Sequence, residues 1–206
     1  MINYIKEKWN EALKEKSGSK IFQLLSPSNY FCSKAVRNVL KNKNYKRILD
    51  LGAGFLSYSP ILRGHCSQYI SLDITPQKGL DLVGDGTYLP LKHSSIDCVF
   101  CYFVLEHVDE PSLILKEINR VLTGDGEIVG GVPLLFYQHG EPFDYYRWTS
   151  FGLKYLLEKE GFEVIKIHPV GTLLTLLTSI VSALVIGLSS FPVVKYIGSL
   201  IYFLLF

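Results

Sequence analysis

The stretch Arg47-Ile-Leu-Asp-Leu-Gly-Ala-Gly-Phe-Leu-Ser-Tyr-Ser-Pro60 constrains this chain more than any other. Ile48, Leu49 and Leu51 make the short apolar run of a buried parallel strand. Gly52 and Gly54 carry no Cβ, so the backbone can turn sharply and approach a ligand closely. Ser57, Ser59 and Pro60 then supply helix-start signals. The segment therefore predicts strand, glycine turn and helix, the corner on which α/β proteins hold nucleotides. A dinucleotide corner asks for a third glycine and an approach open to pyrophosphate at the helix N-terminus. Here Ser57 takes the glycine position, and the Asp50 carboxylate would repel a pyrophosphate. An anion at that place suits a cationic ligand bearing an ammonium and a sulfonium.

S-adenosylmethionine (SAM) is such a ligand. Nineteen residues beyond Gly54, Asp73 closes the apolar run Tyr69-Ile-Ser-Leu-Asp73, where a strand-end carboxylate reaches ribose hydroxyls. A third acid follows in Val83-Gly-Asp-Gly86, and then Ser95-Ile-Asp-Cys-Val-Phe-Cys-Tyr-Phe-Val-Leu-Glu-His-Val108 runs from strand into loop. In this order and spacing, from roughly Tyr45 to Val170, the motifs resemble those of class I SAM-dependent methyltransferases (methyltransferase type 11-like). The resemblance implies that Asp50 and the Gly52–Gly54 backbone face the methionine end of SAM, Asp73 the ribose and Asp85 the adenine amine. It further implies backbone carbonyl contacts from Tyr102 or Phe103. At the family's third glycine this chain has Leu56, which would narrow the pocket.

A net charge of +2 is too small to suggest nucleic acid as the main partner, and no basic stripe is interleaved with aromatics. Cys98 and Cys101 read as C-x-x-C but fall inside an apolar strand. Residues three apart on a strand point to opposite faces, so they are expected as small buried hydrophobes rather than a metal clamp or redox pair. Lys6, Glu7 and Lys8 interrupt any apolar leader, which points to a reducing, cytoplasmic setting.

Ile2, Ile5, Trp9 and Leu13 recur at helical spacing. A second helix is expected from near Ser28, turning Tyr30, Phe31, Val36 and Leu40 inward. Strands are expected at Tyr69–Asp73, Leu80–Val83, Ser95–Phe103, Glu127–Val132 and Phe162–Ile167. Between them fall a helix from Pro111 to Leu122, a turn at Thr123–Gly126, and a helix N-capped by Thr149 and running through Lys159. Alternating strands and helices predict an α/β, Rossmann-like, doubly wound, mostly parallel sheet with helices on both faces. The family resemblance implies strand order 3-2-1-4-5-7-6.

The loop Leu134–Trp148 is crowded with aromatic and charged residues, and its Asp144-Tyr-Tyr-Arg-Trp-Thr149 resembles a run found in related methyltransferases. His139 in this loop is the candidate base for an acceptor proton, with His107 second. No metal is expected, because His107 follows Glu106 with no second ligand at useful spacing.

From Pro169 to Val194 no residue carries a formal charge, and beyond Lys195 none follows. As a helix, Gly171–Phe191 would be about 31 Å long, enough to cross a hydrocarbon core. A single span, a shallow hairpin in one leaflet and a homodimer interface are the readings. Lys195 favours the hairpin, where it can snorkel. Whether the chain lacks a final antiparallel strand because the sheet is short or because the sequence is a fragment stays open. The expected organisation is a helical cap over residues 1–44, a SAM-binding core over 45–168 and an apolar, membrane-associated tail over 169–206. Together these readings give a methyltransferase on the cytoplasmic side of a membrane, O-methylating a small, lipid-linked or glycan-type acceptor. The alternatives are an NAD-dependent oxidoreductase and a non-catalytic membrane-anchored binding protein.

Overall fold

A computed structural model describes residues 27–136, 138–173 and 175–177. The chain divides into two compact units, residues 31–170 and a second made of residues 1–30 with 171–206. The first holds the sheet.

Helix α1 (Pro27–Leu40) leads into strand β1 (Tyr45–Leu51), the short helix α2 (Ser59–Leu62) and strand β2 (Cys66–Asp73). Strands β3 (Leu82–Val83) and β4 (Ile96–Tyr102) come next, followed by helix α3 (Pro111–Val121), strand β5 (Leu122–Gly131) and helix α4 (Ser150–Lys159). The five strands lie in the order β3-β2-β1-β4-β5, and every pairing is parallel. The expected order holds across these five.

Burial follows the pattern a two-faced sheet demands. Leu49, Leu51, Val99 and Cys101 pack on one face with Ile114, Leu115, Ile118 and Val121 of α3. Ile48, Cys98 and Phe100 pack on the other with Val36 and Leu40 of α1 and with Leu62 of α2. Cys98 and Cys101 thus fall on opposite faces as buried thiols, and loss of water pushes each pKa up to about 12. Thr149 caps α4 by accepting a hydrogen bond from the Gly152 amide at 3.0 Å.

Three expectations give way. Tyr30 is 47% exposed rather than turned inward. The turn at Thr123–Gly126 is absorbed into β5 as an irregularity, for pairing jumps from Ile96↔Leu122 to Cys98↔Glu127. Residues 162–167 form no strand, and Ile165 is largely exposed. In the implied order the sixth strand pairs only with a seventh. Since no seventh strand occurs among the described residues, the segment has no ladder to join. The apolar tail expected over 169–206 lies almost wholly outside the described residues, and among those described no helix is long and apolar enough to cross a membrane.

Candidate functional site

The parallel sheet sends the C-terminal ends of β1, β2, β4 and β5 to one edge, where ligands sit in open α/β folds. The β1–β2 corner is tightly built. Gly52 takes φ +72° and Gly54 φ +49°, and the Gly52 and Ala53 amides both donate to the Leu72 carbonyl. A Cβ on Gly52 would lie 2.3 Å from Val104 Cγ2, so the turn passes too close to the loop after β4 for any side chain. Leu56, where the resemblance implies glycine, keeps the left-handed conformation at φ +59°. That placement is costly for a leucine and explains the family's glycine.

Two carboxylates define the corner chemically. Asp73 accepts from the Gly54 amide through Oδ2 and from the Thr75 amide through Oδ1, both at 2.8 Å. Asp50, at the end of β1, is 3% exposed and accepts from the Tyr69 hydroxyl at 2.5 Å. Burial raises its pKa to about 6; the Tyr69 hydrogen bond opposes the rise, and the nearby Asp73 charge adds to it. A cationic ligand beside this acid would stabilise its ionised form, whereas a pyrophosphate would add to the repulsion. Gly52, Gly54, Asp50 and Asp73 are therefore brought together as the sequence implied.

The other implied contacts are placed less uniformly. Tyr102 ends β4, its ring 4.8 Å from that of Phe103. Phe103 adopts φ +58°, held by its amide donating to the Gly131 carbonyl at 2.8 Å. Such a conformation in a bulky residue concentrates at functional edges. Asp85 follows β3, is exposed, and uses Oδ1 to hold the Thr87 amide at 2.8 Å. Its local role is a turn, as Asp often supplies.

At the ends of β4 and β5 a second cluster forms that sequence spacing alone did not reveal. Glu106, in the single turn Leu105–His107, is fully buried. Among the described residues neither carboxylate oxygen has a hydrogen-bond partner. His107 Nε2 and His139 Nε2 each lie 3.9 Å from Glu106 Oε1. Burial pushes the Glu106 pKa up to about 7; the Arg147 charge opposes the rise and the Asp144 charge adds to it. The loop is tied back by its own polar residues: Tyr145 and Tyr146 amides donate to the Glu106 carbonyl, and Arg147 grips Asp144 at 2.6 and 2.8 Å. That grip holds the Asp144 carboxyl well below the usual carboxylate range. Asp144 also accepts from the His139 amide at 2.9 Å, which fixes His139 over Glu106. Sequence reasoning chose His139 and His107 but missed Glu106, whose signal is a carboxylate set between Val104-Leu105 and His107-Val108 at the end of an apolar strand.

Residues 49–130 match the family model described as "Methyltransferase domain". An uncharacterised protein of Methanocaldococcus jannaschii is 29% identical over 94 residues, 43% of this chain and 41% of that protein. The chain thus spans about two fifths of that relative's length. A solved chain from Aquifex aeolicus, a SAM-dependent methyltransferase, superimposes with TM-score 0.58 at 22% identity, covering 75% of this chain and 93% of that one. A chain from the complex of the Haloferax volcanii Trm112 methyltransferase activator with a candidate methyltransferase gives TM-score 0.59 at 19% identity, covering 77% and 80%. Residues 49–130 thus match a methyltransferase domain, and the sheet around them is similar in fold to solved SAM-dependent methyltransferases.

Proposed function

We propose that this chain is an enzyme that moves a methyl group from SAM to an oxygen of a small, lipid-linked or glycan-type acceptor. The observation that carries the reading is the pairing of two unlike clusters along one sheet edge. A buried, cation-seeking carboxylate lies at the β1–β2 corner, and a histidine–carboxylate group lies past β4 and β5.

SAM when bound supplies an electrophilic methyl on a sulfonium, so a displacement at carbon leaves a neutral thioether. Asp50 faces the cationic end, Asp73 takes the ribose hydroxyls and Asp85 the adenine amine, while the Gly52–Gly54 backbone and the carbonyls of Tyr102 and Phe103 shape the cleft. The acceptor hydroxyl must lose its proton as the new C–O bond forms. His139, placed beside Glu106 and anchored by Asp144, is the base proposed to take it. The chain's main work is alignment of the acceptor with the methyl and exclusion of water.

The uncharged run Pro169–Val194 supports attachment to a membrane, with the domain on the cytoplasmic face where SAM is available. Membrane fractionation tests that attachment, and recovery of the protein from the cytosol as a detergent-free homodimer would refute it. An NAD-dependent oxidoreductase is disfavoured by the Asp50 carboxylate. A non-catalytic anchor is tested by turnover itself. His139→Ala is expected to lower turnover about a hundredfold or more with SAM affinity unchanged. Unchanged turnover on an accepted substrate would remove His139 from the chemistry.

A further inference from the structure

Glu106 poses a problem that the proton-transfer reading does not resolve. A carboxylate removed from water with neither oxygen hydrogen-bonded is among the costliest arrangements a fold can hold. His107 makes it sharper. Its Nδ1 contacts the Phe143 carbonyl, which can only accept, so Nδ1 carries the hydrogen. In the neutral ring the Nε2 lone pair then faces Glu106 Oε1 at 3.9 Å, beyond direct hydrogen-bond distance. His139 Nε2 approaches the same oxygen at the same distance from the other loop.

We infer that Glu106, His107 and His139 hold a divalent transition-metal ion. One donor atom from each of these residues lies within 4.8 Å of the other two. Tetrahedral bonds near 2.0–2.1 Å set ligand atoms about 3.4 Å apart, so each need move inward by only about half an ångström. Two imidazoles and one carboxylate suit Zn2+ and leave a further position open.

The surroundings fit the same assignment. The carbonyl of Phe143 fixes the His107 tautomer that presents Nε2, the usual outer-shell device at metal-bound histidines. Beside His139 Nδ1 lie Arg147 Nη2 at 3.4 Å, which can only donate, and Asp144 Oδ2 at 3.7 Å. Binding an ion through Nε2 would therefore require the ring to turn from Arg147 so that Nδ1–H meets the Asp144 carboxylate. Gly140, at φ +70°, gives the His107 ring its room, for a Cβ there would come within 2.6 Å of Cε1.

The inference deepens the methyl-transfer reading and rests on it for the role of the ion. With the ion bound, His139 would serve as a ligand rather than as the base, and the cation would lower the pKa of an acceptor hydroxyl placed beside it.

The test uses full-length protein stripped with a chelator, dialysed against Zn2+ or Co2+ and analysed for bound metal, with SAM titrated into the same samples. One equivalent of Zn2+ is expected, and Co2+ should give visible d–d bands. His107→Ala, His139→Ala and Glu106→Gln should each weaken metal binding by a hundredfold or more while SAM affinity stays within about twofold. Asp73→Ala should do the reverse. His107 and His139 are about a quarter exposed, so their variants carry the test even if Glu106→Gln misfolds. Absence of stoichiometric metal, or metal retained by both histidine variants, overturns the inference. Metal binding without SAM binding would sink the methyltransferase reading and leave the metal site standing.

Discussion

Asp50→Asn should make the folded chain more stable at neutral pH and a poorer SAM binder, two effects with one cause. Asp50 is buried with a pKa of about 6 against an ordinary 3.8. An acid whose folded pKa lies above its unfolded value contributes most at low pH, and that stability is lost as pH rises through the window between the two. From 3.8 to about 6 the ionised group costs the fold roughly 3 kcal/mol in full, reached above pH 7. About 1 kcal/mol of it is already present at pH 4.5. The amide that replaces the carboxyl carries whatever fixed cost its own hydrogen bonding brings, but that cost does not titrate. Urea unfolding of parent and variant at both pH values isolates the titrating part. The variant's stability relative to the parent should improve by about 2 kcal/mol between pH 4.5 and 7.5. At pH 7.5 its SAM affinity should be roughly tenfold to a hundredfold below that of the parent, as loss of a charged hydrogen-bond partner implies. The parent should also lose SAM affinity as pH falls below about 6, while the variant's affinity stays flat through that window. A relative stability identical at the two pH values would refute the burial argument.

Two glycine variants probe the sheet edge from different sides. Gly52→Ala places a Cβ against Val104 in a left-handed turn and should cost about 1–3 kcal/mol, read as a lower unfolding midpoint, with weaker SAM binding. Gly140→Ala should displace the His107 ring and depress turnover while leaving SAM affinity in place, which parallel kinetics and titration would separate.

What was legible in the sequence was local and periodic. The Asp-Leu-Gly-Ala-Gly corner names its own strand, turn and carboxylate, since each residue type answers a backbone or charge requirement within a few positions. Cys98 and Cys101 fall on opposite faces because strand period decides it. The strand at 162–167 was not decidable in this way: its β-branched and aromatic residues suit a strand, but a strand also needs a neighbour, and pairing is a property of the whole sheet. The turn at Thr123–Gly126 failed for a related reason, since β4 accommodates its residues as a shifted register. Glu106 shows the same limit at the site. His107 beside it looked like a pair lacking further ligands, and only the loop after β5 brings His139 over it. Chain spacing records ligands on one element and is silent about those that meet across two.

The claim on which the methyl-transfer reading depends is that the β1–β2 corner receives SAM. Isothermal titration of full-length protein with SAM and, separately, with NAD tests it most directly, with Asp73→Ala as control. Saturable SAM binding is expected, weakened at least tenfold in Asp73→Ala by loss of a charged acceptor worth about 1.5–3 kcal/mol, with no heat from NAD. NAD binding without SAM binding, or SAM binding indifferent to Asp73, would contradict the assignment.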